Sequence, residues 1–360
     1  MAHSRTLIVA EIGVNHNGSL DLAKQLVDAA VAAGADAVKF QTFLSENLVR
    51  TDAPKPEYQR QTTAANESQY DMLRRVQLSA EAYRQLHAHC RHQRIGFLST
   101  PFDNESVDLL VRDLGVSMLK ISSGDVTNAP LLLKAAQSQR KLILSTGMCT
   151  LGEVEQALAV LAFGFTQPPG ARPSLSEMRR AYSSEAGQRA LAERVILLHA
   201  TSEYPAPFRD VNLRAMDTLA AAFQLPVGLS DHTPGIAVAV AAVARGAVVI
   251  EKHLTLDRRM EGPDHRASLE PDEFHTLVQA VRQVEDALGS PAKLPTMGEQ
   301  KTAELVRRSI VAARLIQTGE VYSEDNLAVK RPGHGLSPMY YWELIGKTAA
   351  KTFHKDEMIR

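Results

Sequence analysis

The sequence predicts an α/β protein built as a (β/α)8 TIM barrel followed by a small second domain, and three observations carry that prediction. Short runs rich in Val, Ile and Leu recur eight times up to His253, each followed by a segment of helical period. Every run closes on polar or ionisable residues, which implies a polar mouth along one edge of the sheet. After Gly289 the texture changes to a linker containing Pro and Gly, and then to about 60 residues of a different pattern.

In chain order the runs are TLIVAEIG (6–13), AVKFQT (37–42), IGFLSTP (95–101), MLKISSG (118–124), KLILSTG (141–147), VILLHAT (195–201), PVGLSDH (226–232) and AVVIEKH (247–253). The first is followed by SLDLAKQLVDAAVAAG, with Ser19 placed to cap the helix, and the last by DEFHTLVQAVRQVEDALG. Strand, helix, strand with a right-handed crossover makes neighbouring strands parallel. Eight such units in succession fit a closed barrel better than an open doubly wound sheet. Two insertions interrupt the rhythm. Residues 43–78 follow the second strand on the mouth side, where long loops serve as lids or oligomer contacts. Residues 164–190 precede the sixth strand and so belong to the opposite rim. The expected division is a barrel over 1–288, a linker over 289–300 and a second domain over 301–360. A domain that small needs docking or dimer support.

The 360 residues, 44% hydrophobic, suffice for one large core. A net charge of −1 offers no basic field to recruit nucleic acid or an anionic membrane, so neither is expected as a partner. The two cysteines, Cys90 and Cys149, have no zinc or disulfide spacing. With no export signal and no run of 18 apolar residues, a cytoplasmic location is expected.

The chemistry concentrates at the strand ends. His232 and His253 close the seventh and eighth runs, and two imidazoles at matched ends of parallel strands can share a divalent metal. Asp231 and Glu251 beside them are expected as acceptors that fix the ligating tautomer, or as ligands themselves. Lys39 and Lys120 fall inside strand runs, where a buried ammonium is costly unless an anion compensates it. With Thr100, Ser123 and Ser145 they suit a phosphate and a carboxylate, so a small phosphorylated acid is the implied ligand. Other signals do not qualify. His89 and His92 in HAHCRH read as a solvated helix face. GVNHNG lacks the ending of a P-loop, and no GxGxxG or GxSxG occurs.

These residues lie in motifs that resemble the sialic acid synthase family, the synthases of N-acetylneuraminate- and legionaminate-type nonulosonic acids. The motifs are AEIGVNHNG (10–18), VKFQTF (38–43), LSTPF (98–102), LKISSGDVTN (119–128), LSTGM (144–148), TSEYPAPF (201–208), GLSDHT (228–233), EKHLT with GPDH (251–265) and VKRPG (329–333). The resemblance spans nearly the whole chain. It implies a barrel joined to an antifreeze-like (β-clip) domain in a domain-swapped homodimer, condensing phosphoenolpyruvate with an N-acetylmannosamine-type aldehyde to give N-acetylneuraminate and phosphate. The legionaminate branch, using 2,4-diacetamido-2,4,6-trideoxymannose, is the alternative. By the same resemblance His232 and His253 would hold Mn2+, with Co2+ or Mg2+ as alternatives. Lys39, Gln41, Thr100, Lys120, Ser123, Ser145 and Ser230 would cradle phosphoenolpyruvate. Glu11, Tyr204 and Asp264 would contact the sugar. Asp125, where many relatives have Glu, would be the acid or base near the reacting carbons. Arg331 would reach the partner chain's mouth and donate to the sugar's N-acetyl carbonyl. A metal-free sugar-binding module, the reading from another class, needs neither the strand-end lysines nor the histidine pair.

Overall fold

The structure is a computed structural model that describes residues 5–63, 67–168 and 170–360. Residues 64–66 and 169, within the two insertions, lie outside the described residues. The chain forms two compact units, Met1–Gly289 and Ser290–Arg360.

In the first unit the eight strands are Leu7–Gly13 (β1), Ala37–Thr42 (β2), Gly96–Pro101 (β3), Met118–Ile121 (β4), Lys141–Ser145 (β5), Val195–Ala200 (β6), Val227–Asp231 (β7) and Val249–His253 (β8). They form one sheet in the order β3-β2-β1-β8-β7-β6-β5-β4, parallel throughout. Because the first strand pairs with the last, the sheet curls into a barrel. β3 and β4 lie side by side at the remaining seam.

Strand alternation then separates two cores. Inward-facing Val9, Ala37, Leu98, Ile143, Leu198 and Val249 fill the barrel and close its floor. Outward-facing Ile8, Ala10, Val38, Phe40, Leu119, Leu144, Leu197 and Ile250 pack against the helical ring. Full burial of such a side chain is worth about 1.5–3 kcal/mol. The helices show the predicted local chemistry. Ser19 Oγ accepts from the Leu22 amide at the start of Leu20–Ala33, and Gly34 ends that helix at φ 85°. The last helix of the ring, Pro271–Leu288, buries Phe274, Leu277, Val278 and Val281.

The 43–78 insertion folds into three short helices, Ser45–Leu48, Glu57–Thr62 and Gln69–Val76. Met72, Leu73 and Val76 join Val14 and Phe43 in a satellite apolar cluster at the mouth. The second insertion contributes helices Leu175–Tyr182 and Glu185–Arg194, which pack on helix Leu151–Thr166.

In the second unit Ser309–Ala312 (β9) and Leu327–Lys330 (β10) pair antiparallel, above a core of Ile310, Ile316, Tyr322, Leu327, Phe353 and Ile359. Helix Met297–Val306 begins inside the 289–300 segment expected to be a linker, because Thr296 and Glu299 close a capping box there.

Candidate active site

Above the apolar floor the next inward rung is polar, and strand register assembles it. Glu11 of β1 is opposite Lys39 of β2 on one side and His253 of β8 on the other. Gln41 is opposite Thr100, and Ser230 opposite Glu251. Together they line a cavity of about 860 Å³ that also receives Lys120, Ser123, Ser145, Tyr204, His232 and Asp264. The 43–78 insertion walls its outer part with Leu48, Val49, Gln69, Met72, Leu73 and Val76. Two glycines permit the crowding at the rim. Gly13 turns at φ 55°, where a Cβ would lie 3.0 Å from Glu11 Oε1, and a Cβ on Gly147 would lie 2.5 Å from Ser202 Oγ.

The cavity floor is a buried charge cluster. Lys39 Nζ lies 3.0 Å from Glu11 Oε1 and 3.7 Å from Glu251 Oε2, and it donates to Thr100 Oγ1 at 3.3 Å. Lys120 Nζ is 3.6 Å from the other oxygen of Glu251. Gln41 Nε2 donates to Glu11 at 3.3 Å. Burial opposes every charge here, and neighbours decide the outcome. Burial lowers Lys120 to about 8, only partly resisted by Glu251. Lys39 sits above its ordinary value, since Glu11 and Glu251 together outweigh its desolvation. Glu251 falls to about 2 because Lys120, Lys39 and the Ser230 hydroxyl overcome its burial. Burial raises Glu11, and burial with the charge of Glu11 raises Asp264 to about 7. Glu11 Oε2 and Ser145 Oγ are buried with no hydrogen-bond partner. Such groups await a ligand or water.

The histidines meet beside this cluster, His253 in register with Glu11 and His232 next to Ser230. Their ring centroids are 5.6 Å apart, and Tyr204 lies 4.2 Å from the His232 ring and 5.7 Å from that of His253. Burial holds His232 down at about 4 and His253 well below its ordinary range, so both are neutral at pH 7. His232 Nδ1 donates to the Thr201 carbonyl at 2.7 Å. Ser230 Oγ is 3.2 Å from His232 Nε2, but its single proton is directed to Glu251 Oε1 at 2.8 Å. The Nε2 lone pair of His232 is therefore available. His253 Nδ1 is buried without a partner. Among the described residues no group of three or more His, Cys, Asp or Glu side chains could hold a metal. His232 and His253 are the two imidazoles that the strand ends bring together at the cavity.

One expectation needs correction. Neither Asp231 nor Glu251 fixes the histidine tautomer. Asp231 points away from the cavity toward Lys252, one step of strand alternation out of phase with His232, and Glu251 serves the lysines. Asp125 directly follows Ser123 and Gly124, which line the cavity. It is the last residue of the turn Ser123–Asp125, and its carboxylate accepts from Asn128 Nδ2 at 3.1 Å, which binds it to its own loop. Burial raises this carboxyl despite that bond. Arg331 belongs to the second unit, where it is exposed just past β10. His89 pairs with Asp28 at 2.8 Å on a helix face, as expected of a surface residue. Sequence reasoning did not anticipate that Glu251 would organise the lysines, although its spacing of two from His253 puts both on one strand face.

A TIM barrel whose mouth combines two buried lysines, a set of hydroxyls and two neutral histidines defines an enzyme that handles a small anion beside an electrophile. Comparison with known sequences gives the particular family. The sequence model of the NeuB family matches residues 26–293, and that of the SAF domain matches residues 307–360. The chain belongs to the NeuB family. It is 49% identical to the N,N'-diacetyllegionaminic acid synthase of Campylobacter jejuni over 356 residues, 99% of either chain. It is 45% identical to the enzyme of the same name from Legionella pneumophila over 339 residues, covering 94% of this chain and 89% of that one. Among solved structures, the N-acetylneuraminic acid synthetase of Leptospira borgpetersenii superposes with a TM-score of 0.66 at 31% identity, covering 84% of this chain and 91% of that one. No helix among the described residues is long and apolar enough to cross a membrane.

Proposed function

We propose that this chain condenses phosphoenolpyruvate with 2,4-diacetamido-2,4,6-trideoxymannose, giving N,N'-diacetyllegionaminate and phosphate. The observation that carries the reading is the pair of buried lysines, Lys39 and Lys120, held by one carboxylate at the floor of the same cavity that the histidines face. The choice of sugar reverses the order expected from motifs alone, which put N-acetylmannosamine first. It rests on the two legionaminate synthases, at 49% and 45% identity, against 31% for the sialic acid synthetase.

In this reading the lysine ammoniums take the phosphate and carboxylate of phosphoenolpyruvate, displacing part of their attraction to Glu251. Thr100, Ser123, Ser145 and Gln41 add fixed donors, Ser230 holds Glu251 beside them, and Ser145 Oγ gains the partner it lacks. His232 and His253, both neutral, would hold a divalent ion, Mn2+ or in its place Co2+ or Mg2+. When bound, the ion would polarise the sugar aldehyde. C3 of phosphoenolpyruvate forms a bond to the aldehyde carbon, whose oxygen becomes a hydroxyl. Water adds at C2 and loses a proton, then the C2–O bond to phosphate breaks and leaves a ketone. Asp264, near neutrality and beside Glu11, is suited to take and return the proton at that water, in place of Asp125. Tyr204 and Glu11 would contact the sugar. Arg331 is assigned to the partner chain's mouth in a domain-swapped homodimer.

A sugar panel tests the reading. Phosphate release from phosphoenolpyruvate should have its highest kcat/KM with the 2,4-diacetamido sugar. Preference for N-acetylmannosamine would transfer the chain to the N-acetylneuraminate branch, and no release with any acetamido sugar would refute the synthase reading.

A further inference from the structure

Directly behind the two histidines, on the side of the sheet away from the cavity, lies an ion pair with no part in the chemistry described so far. Lys252 is fully buried and Asp231 is 2% exposed. They face each other across β7 and β8 in register, and Lys252 Nζ lies 2.8 Å from Asp231 Oδ2. Each is the immediate neighbour of a histidine, Asp231 of His232 and Lys252 of His253. Neither lines the cavity.

The bonds of this pair enclose His232. Lys252 also donates to the Thr233 carbonyl at 2.5 Å, so one ammonium, on the strand that carries His253, grips the residues before and after His232. Asp231 Oδ1 in turn accepts from the Thr233 amide at 2.9 Å and its hydroxyl at 2.8 Å, which fixes the turn leaving β7. We infer that the Asp231–Lys252 ion pair is a positioning device that sets the spacing and orientation of His232 and His253. This rests on the reading of those histidines as the metal-holding pair.

Stability alone is a poor reason for such a pair. Two charges removed from water lose most of their mutual attraction to desolvation, and well-packed apolar side chains at such places are as stable or more so. Geometry is what apolar side chains would not supply. A leucine and a methionine can fill the volume, but they leave the Thr233 carbonyl and the turn after β7 without their tether. The backbone at His232 could then move relative to His253, and partners one step behind the ligands govern metal affinity.

The test uses the full chain stripped of metal. The variant Asp231→Leu/Lys252→Met is compared with the unaltered protein in three measurements: the thermal midpoint of the apo form, phosphoenolpyruvate affinity by calorimetry, and Mn2+ affinity by electron paramagnetic resonance titration. The variant should stay folded, with a midpoint lowered at most modestly by the untethered Thr233 groups, and bind phosphoenolpyruvate unchanged, while the Mn2+ Kd rises about tenfold or more. A folded double variant with unchanged Mn2+ affinity would overturn the inference. If that variant does not fold, Thr233→Val, which keeps the shape and removes only the hydroxyl tether to Asp231, should still weaken Mn2+ about threefold, and unchanged affinity there overturns the inference equally. His232→Ala and His253→Ala separate the two readings. If they bind Mn2+ as well as the unaltered protein, the metal assignment is what fails. If they lose Mn2+ while the pair variants keep it, only the positioning role fails.

Discussion

Replacing Lys120 with Met should make the free protein more stable and the substrate complex much weaker. Lys120 is buried, and burial has brought its ammonium from 10.5 to about 8 even with Glu251 at 3.6 Å. At about 1.4 kcal/mol per pH unit, that displacement corresponds to about 3 kcal/mol by which the charged form disfavours folding at pH 7. The sign follows from proton binding. Between pH 8 and 10.5 the unfolded lysine keeps a proton that the folded one has released, so the stability of the free protein rises with pH across that window. Met carries no such cost, and Lys120→Met should gain up to about 3 kcal/mol at pH 7 and lose the rise above pH 8. Phosphoenolpyruvate binding should move the other way. A hydrogen bond from a charged donor is worth about 1.5–3 kcal/mol, a Kd increase of about 10- to 150-fold. In the unaltered protein the affinity should also decline above about pH 8, as the free lysine gives up its proton, and in the variant this decline should vanish. Urea denaturation and calorimetric titration from pH 7.5 to 9.5, above the phosphate's own titration, measure both effects. A variant that binds within about threefold of the unaltered protein, or unaltered binding that stays flat through pH 8, would refute the assignment of Lys120 to the anion.

Three further outcomes follow from the same cluster and from the second unit. Asp264, raised to about 7 by burial and by Glu11, holds a proton that the unfolded chain releases above its ordinary 3.8. Stability should therefore fall as pH rises from about 4 to 7. Asp264→Asn should remove up to about 4 kcal/mol of that fall and erase the limb of the kcat profile near pH 7, as denaturation at pH 5 and 8 and steady-state kinetics would measure. Glu251, lowered to about 2, contributes stability that is present above 4.5 and lost as pH falls toward 2. Glu251→Gln strands two lysines and should cost about 3–5 kcal/mol at pH 7, with a smaller cost at pH 3 by the same denaturation assay. Subunit exchange between His232→Ala and Arg331→Ala should restore about a quarter of full activity if Arg331 serves the partner's mouth, because each mixed dimer then has one intact site. No recovery after exchange, with both parents inactive, would place Arg331 in its own chain's site, and an active Arg331→Ala parent would place it outside the chemistry.

The barrel was legible because its signals are local and repeated. Each of the eight runs carries its own period and its own polar end, and parallel register then aligns Glu11, Lys39 and His253 without any further information. The histidine pair and the two lysines were legible for the same reason. What stayed hidden depends on direction and on side-chain partners. Asp231 and Lys252 adjoin the histidines in sequence yet face the other way, because alternation sends neighbours to opposite sides of a strand. Asp125 lies in a matching motif, but Asn128, three residues on, turns its carboxylate into the loop. Leu48 and Met72 reach the cavity only through the packing of an insertion whose composition says little about its fold. The helix at Met297 was signalled by Thr296 and Glu299, but the surrounding Pro and Gly obscured it.

The most direct test of the central claim follows one oxygen atom. Phosphoenolpyruvate labelled with 18O in the bridge between C2 and phosphorus is turned over with the 2,4-diacetamido sugar, and both products are weighed by mass spectrometry. If C3 of phosphoenolpyruvate bonds to the aldehyde and water adds at C2, the C2–O bond breaks, and the label should leave in the phosphate while the nine-carbon acid carries none. Label retained at the C2 oxygen of the acid would mean that the P–O bond breaks instead, and would contradict the mechanism assigned to this barrel mouth.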